Sequence, residues 1–239
     1  MTKLLFQIHR QPALTQAQFA EHYLKRHAPL ALECQPGIAR LAVHPTEETD
    51  ALIARSWGRD PRPSACDGIT AMWLRRPEDA GDLRRLAASP EAAARLQQEA
   101  AGLVSTAHGW LVDEVVQWDY ERDWRDGETS PGVKMIYFGL RKQGLSRDEF
   151  VRRYRDGHGP LARIHHPGIW RYVQNFVVRA VTPGAPEVDS IAELHFRSVR
   201  DFEERMYRDT GSVQVIADDV AGFLRPTLSL VTRETWIRS

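Results

Sequence analysis

The residues 155–160, Arg-Asp-Gly-His-Gly-Pro, set His158 between two glycines and ahead of a proline, where a long amphipathic pattern ends. Pro160 lacks a backbone N–H and its ring clashes with the carbonyl four residues back, so the helix has to kink or restart near Asp156. Gly157 and Gly159 relax the backbone around the imidazole. Phe150, Tyr154 and His158 follow at i, i+4 and i+8, one stripe of a helix facing inward. An imidazole at the wall of an apolar pocket exchanges protons near neutral pH. The same residue can instead latch a freed helix carbonyl, and both readings stand for His158. For the earlier copy, Arg26-His27-Ala28-Pro29, the latch is the stronger reading.

Further polar groups fall on strand-like segments. Glu193 and His195 alternate with Ile191 on one strand face. A carboxylate beside an imidazole there is costly unless paired or useful. The two are read as a base with its orienting partner, as two metal ligands, or as a surface pair. In the run Arg171–Asn175, Tyr172 and Asn175 have opposite parity, so an unbulged strand cannot aim both into one cavity. Asn175 is suited to hold a substrate oxygen, whereas Tyr172 has Leu41 as its counterpart in the earlier copy and also fits a packing role. Trp73, Trp170 and Met72 read as core or pocket lining. His165-His166 lacks any zinc-site spacing, and neighbouring helical residues point apart. No phosphate-binding glycine loop or dinucleotide fingerprint occurs.

The elements that must position these groups occur twice. Pairs 131 positions apart, as His27 and His158 are, match without gaps: Lys3/Lys134, Phe19/Phe150, Tyr23/Tyr154 and the Pro-Gly-Ile at 36–38 and 167–169. The spacing then tightens to that of Asp67 and Asp189, and finally to that of Glu114 and Glu234. The first copy carries a longer loop at 45–67. We read repeats at 1–120 and 133–239 with a charged, turn-rich linker at 121–132. Each copy reads strand, helix, strand, strand, helix, strand, with Thr15 and Ser146 as helix N-caps. The second-copy first strand is apolar on both faces, Met135 and Tyr137 on one, Ile136, Phe138 and Leu140 on the other. Such a strand is covered on both sides. Two sheets facing each other, with helices outside, meet that requirement.

Composition sets the class. Of 239 residues, 32 are basic and 32 acidic, so no net field recruits nucleic acid or an anionic membrane. Only Cys34 and Cys66 are available, too few for a disulfide framework. No apolar run approaches the length of a membrane span or a secretory signal. The expected setting is cytoplasmic, with no nucleic-acid or membrane partner.

The pattern Leu145-Ser-x3-Phe150-x3-Tyr154-x3-His158-Gly-Pro-Leu, with Pro167-Gly-Ile, Arg171-Tyr-Val-Gln-Asn and Ile191-Ala-Glu-Leu-His-Phe, resembles the EthD family of the dimeric α+β barrel superfamily. A worn copy runs from Leu14 to Trp73. The resemblance implies an α+β fold of two tandem ferredoxin-like βαββαβ repeats, closing an intramolecular dimeric α+β barrel. It also implies a small apolar ligand between sheet and helices. The function expected is that of a cofactor-independent lyase, isomerase or cyclase acting on an apolar carbonyl-bearing or polycyclic molecule. A non-catalytic binding protein and a haem- or metal-dependent enzyme are the alternatives. The second helices hold no histidine, and no cofactor or metal is expected. His158, His195 and Glu193 are the expected catalytic residues, with Tyr154, Asn175, Tyr172, His27, Tyr23 and Trp73 binding substrate. The main pocket is expected in the second copy, with the 45–67 loop as a lid. Whole chains associating as a homodimer is a further expectation.

Overall fold

The computed structural model describes residues 1–56 and 58–239; Trp57, inside the 45–67 loop, lies outside the described residues. The first copy contributes β1 (Thr2–Arg10), α1 (Gln16–His22), α2 (Ala28–Cys34), β2 (Ile38–Pro45), α3 (Ala51–Ser56), β3 (Gly68–Leu74), α4 (Pro90–Ala101) and β4 (Val104–Trp118). The second contributes β5 (Val133–Arg141), α5 (Arg147–Arg152), α6 (Gly159–His165), β6 (Ile169–Ala180), β7 (Ser190–Phe196), α7 (Val199–Arg205), α8 (Thr210–Phe223), β8 (Leu224–Thr232) and β9 (Thr235–Arg238).

The described strands run in the order β8-β5-β7-β6-β4-β1-β3-β2-β9, each pairing antiparallel. The last strand of each copy is shared. β4 pairs with β1 through its first part and with β6 through its second. β8 lies on β5, and two residues later β9 lies on β2. Where the last strand crosses over, Glu47 N–H donates to the Val231 carbonyl (2.8 Å) and Arg233 N–H to that of Pro45 (3.2 Å). One chain therefore closes the barrel. The last strand expected of the second copy is broken at Arg233-Glu234 by that crossing, which turns Glu234 into the interior.

Strand parity sorts the side chains. Leu5, Ile69, Ile136, Phe138, Ile191 and Trp236 pack inside the barrel. Met135, Tyr172, Phe176, Leu194 and Phe196 face the second-copy helices, joined by Phe150, Phe202 and Phe223. Burying one such phenylalanine contributes about 1.5–3 kcal/mol. Leu52 and Ile53 of α3 join this cluster, so the long first-copy loop, which forms a helix where only loop was expected, covers part of the second copy. Arg55 of the same helix pairs with Glu203 on α7 (2.8 Å).

The expected restart takes the form of a wide π turn. Residues Tyr23–His27 and Arg153–His158 are π-helical, and the Ala28 and Gly159 N–H groups bond five residues back, to Tyr23 and Tyr154. Pro29 and Pro160 then begin α2 and α6, where a missing N–H costs nothing. Thr15 and Ser146 cap their helices as expected, Thr15 with a reciprocal Gln18 bond. The second helix expected of the later copy comes in two pieces, ending at Arg205 and restarting at the Asp209 cap.

Candidate functional site

A cavity of about 210 Å³ lies between the second-copy sheet and its helices. Tyr137 on β5 and Tyr172 on β6 reach it from the sheet, and Tyr154, His158 and His166 from the helical side. Ile216, Val220 and Leu224 are among the apolar groups completing the wall. The π turn puts Tyr154 and His158 on this wall, their rings 5.3 Å apart. Gly159 is small for another reason than the one expected. Its φ is an ordinary −54°, but a Cβ would come within 2.4 Å of the Gln117 amide. Gln117 reaches in to donate to the Arg155 carbonyl (2.9 Å) across the wide turn.

His158 is 6% exposed, and its Nδ1 donates to Asp219 Oδ2 at 2.7 Å. That leaves Nε2 as the ring nitrogen available to a ligand. Asp219 is partly exposed and also lines an outer groove with Arg152 and Arg153, so the pair links cavity to solvent. Burial pushes the Tyr154 phenol up to about 12 and holds Tyr172 well above the ordinary value, so both stay protonated donors at neutral pH. The Tyr172 hydroxyl accepts from Gln174 Nε2 (3.2 Å). His166 donates through Nδ1 to the Met206 carbonyl, and burial lowers it to about 4, leaving Nε2 an acceptor. His166 also lines an outer groove of about 470 Å³ containing Arg163, Arg197, Trp118 and Trp170, so one imidazole separates groove from cavity. His165 points elsewhere, to Ser212 (2.8 Å).

Of the residues expected to act together, the structure gathers His158, Tyr154 and Tyr172, and places four others on the opposite face of the sheet. Asn175, Glu193, His195 and Trp73 lie inside the barrel, so the expectation that Glu193, His195 or Asn175 works beside His158 is corrected. For the three second-copy residues strand parity is the reason, since each precedes or follows a cavity-facing residue by an odd number of positions, while Trp73 belongs to first-copy strand β3. Nor do Glu193 and His195 form a base and its partner. Glu193 accepts from Lys3 (2.7 Å), Lys134 (2.9 Å) and Asn175 (3.0 Å), while His195 Nε2 donates to the Pro131 carbonyl (3.0 Å). Tyr23 and His27 lie in the first copy, where Tyr23 bonds Thr70 (2.8 Å) and His27 Nδ1 bonds Glu99. They cannot reach a ligand in the second-copy cavity.

The barrel interior holds an ion network that sequence reasoning did not assign. Lys3 also bonds Glu114 (2.7 Å), and Lys134 bonds Glu234, which accepts from Tyr120 (2.7 Å) and Trp236 (3.0 Å). Both lysines, Glu193 and Glu234 are at most 3% exposed. The neighbouring ammonium groups hold both carboxyls well below the usual range, against the opposing effect of burial. The signal was present, since Lys3/Lys134 and Glu114/Glu234 are matched pairs of the repeat. His44, Glu193 and Glu234 bring three ligand atoms within 4.8 Å of one another. Lys134 Nζ already bonds all three, so the cation of this cluster is the lysine itself.

Two buried histidines set a pH dependence. Burial lowers His166 and His195 from 6.5 to about 4 each. The unfolded chain therefore binds more protons between those values, and stability falls as pH drops from 6.5 toward 4. Each histidine accounts for up to roughly 3 kcal/mol across that window. Urea midpoints should be flat above pH 7 and decline from pH 6.5 downward; a midpoint unchanged between pH 7 and pH 5 would show that these histidines are not held neutral.

Two βαββαβ units closed into one barrel, with a ligand-sized cavity between sheet and helices, define an α+β barrel of the dimeric type built within a single chain. The chain belongs to the EthD family: the EthD domain matches residues 11–107 and 142–227. A search of the curated proteins finds no match. Among solved structures, an anthrone oxidase-like protein is similar at a TM-score of 0.61 and 15% identity, covering 99% of this chain and 92% of its own. A mutant chlorite dismutase from Candidatus Nitrospira defluvii is similar at 0.53 and 10%, covering 98% and 91%. A dye-decolorizing peroxidase from Bacteroides thetaiotaomicron follows at 0.52 and 8%, covering 98% and 92%. At these identities the likeness is one of fold. His158, with Nδ1 bonded to Asp219, has donor chemistry suited to a haem iron, the alternative expected from the sequence.

Proposed function

We propose that the chain is a cofactor-independent proton-transfer enzyme, a lyase, isomerase or cyclase, acting on a compact cyclic carbonyl compound in the second-copy cavity. The observation that carries this reading is the His158–Asp219 pair, whose free imidazole nitrogen belongs to a largely apolar cavity lined by protonated phenols. The largely apolar lining suits a ring-bearing carbonyl compound.

In the proposed step His158 Nε2 takes a proton alpha to the carbonyl. The C–H electron pair moves into the carbonyl group, and negative charge develops on its oxygen. A neutral phenol, Tyr154 or Tyr172, donates to that oxygen, while Asp219 balances the imidazolium. The proton then returns to another carbon, or departs with a β-hydroxyl as water. Nothing in this sequence requires a group the chain does not supply.

Hydrogen–deuterium exchange into 2-tetralone, a bicyclic ketone with acidic α-protons, tests the reading by NMR in heavy water. Wild-type protein should accelerate exchange above buffer, and Asp219→Asn should slow the catalysed rate by on the order of 10-fold or more. Binding without acceleration would identify a ligand-sheltering protein instead. Equal rates with wild type and Asp219→Asn would remove the pair from the mechanism.

A further inference from the structure

Tyr137 enters the cavity from β5, and its hydroxyl is buried with no hydrogen-bond partner among the described residues. A buried unpaired phenol costs free energy that folding alone does not recover. None of its neighbours accepts from it in this structure. Tyr154 and Tyr172 lie against each other, Gln174 serves Tyr172, and the Met206 carbonyl is taken by His166. Burial keeps Tyr137 protonated, with Tyr207 beside it on the cavity wall.

The first copy supplies an internal comparison. Phe6 occupies the matching position on β1, at the repeat spacing that relates Lys3 to Lys134. There the ring packs in the first-copy core without a hydroxyl. The fold therefore needs an aromatic ring at this position, and only the second copy adds a donor to it. The same copy holds the cavity.

We propose that the Tyr137 hydroxyl is the recognition donor for an oxygen of the ligand, so that the cavity selects a ketone, enolate or phenol over a hydrocarbon of the same shape. This rests on the cavity being the binding site. Tyr137 then works at the sheet side of the ligand, while His158 and Asp219 work from the helical side. The burial that makes the orphan hydroxyl costly in the free protein makes its bond to a ligand oxygen strong.

The test pairs two probes, 2-naphthol and naphthalene, with wild-type protein and Tyr137→Phe, read by calorimetry and thermal melting. Tyr137→Phe reproduces the Phe6 arrangement and should fold with an unchanged or higher Tm. It should bind 2-naphthol about 3- to 10-fold more weakly than wild type does, with naphthalene affinity unaffected. Equal affinities of wild type and Tyr137→Phe for 2-naphthol would overturn the assignment while leaving the cavity as the site. A lowered Tm with equal losses for both probes would reassign Tyr137 to packing. If wild type binds neither probe, this assignment fails together with the cavity reading it rests on.

Discussion

Replacing Glu193 by alanine should destabilise the fold by roughly 3–5 kcal/mol, the range for breaking a buried ion pair from one side. Glu193 is 3% exposed and holds Lys3, Lys134 and Asn175 within hydrogen-bonding distance. Its removal leaves Lys3 with Glu114 and Lys134 with Glu234, each ammonium short of one buried partner. The backbone is not the obstacle, because Ala71 occupies the matching position on β3 and is fully buried there. Glu193→Gln keeps the volume and should lose less. Because Glu193 projects away from the cavity, exchange activity per folded molecule should stay within about twofold of wild type. Urea unfolding measures the first quantity. A loss below about 1 kcal/mol would mean that the network is structurally idle, and a large activity loss in folded protein would restore Glu193 to the site.

The network shows how far residue patterns reach in this chain. The repeat and strand alternation sufficed for the barrel, since a first strand apolar on both faces must be covered twice. They also separated Tyr172 from Asn175 by parity, and the structure puts them on opposite faces as that requires. What alternation could not give is which face looks into the barrel and which toward the helices. Glu193 and His195, expected beside His158, lie in the barrel interior instead. Asp219 was missed for a different reason: it sits on α8, 61 residues from His158. Its signal was again the repeat, because His27 pairs with Glu99 just as His158 pairs with Asp219, at the spacing that relates Glu114 to Glu234. Tyr137 read as one more apolar strand residue, because nothing in the sequence says that a hydroxyl will lack a partner.

The duplicated histidine–carboxylate pair sharpens the question of which copy works. In the first copy Glu99 is shared between His27 and His22, the latter at 2.6 Å, and Tyr23 is satisfied by Thr70. That arrangement closes on itself, as a structural latch does. In the second copy Asp219 serves His158, Ala192 replaces Thr70, and the phenols border open space. The measurement that bears most directly on the account is the rate of α-proton exchange of 2-tetralone with His158→Ala and His27→Ala, alongside their melting temperatures. The account predicts a loss of roughly 100-fold or more for His158→Ala in folded protein, and for His27→Ala a rate close to wild type, any deficit following its loss of stability. Equal losses in the two variants, or full activity in His158→Ala, would contradict it.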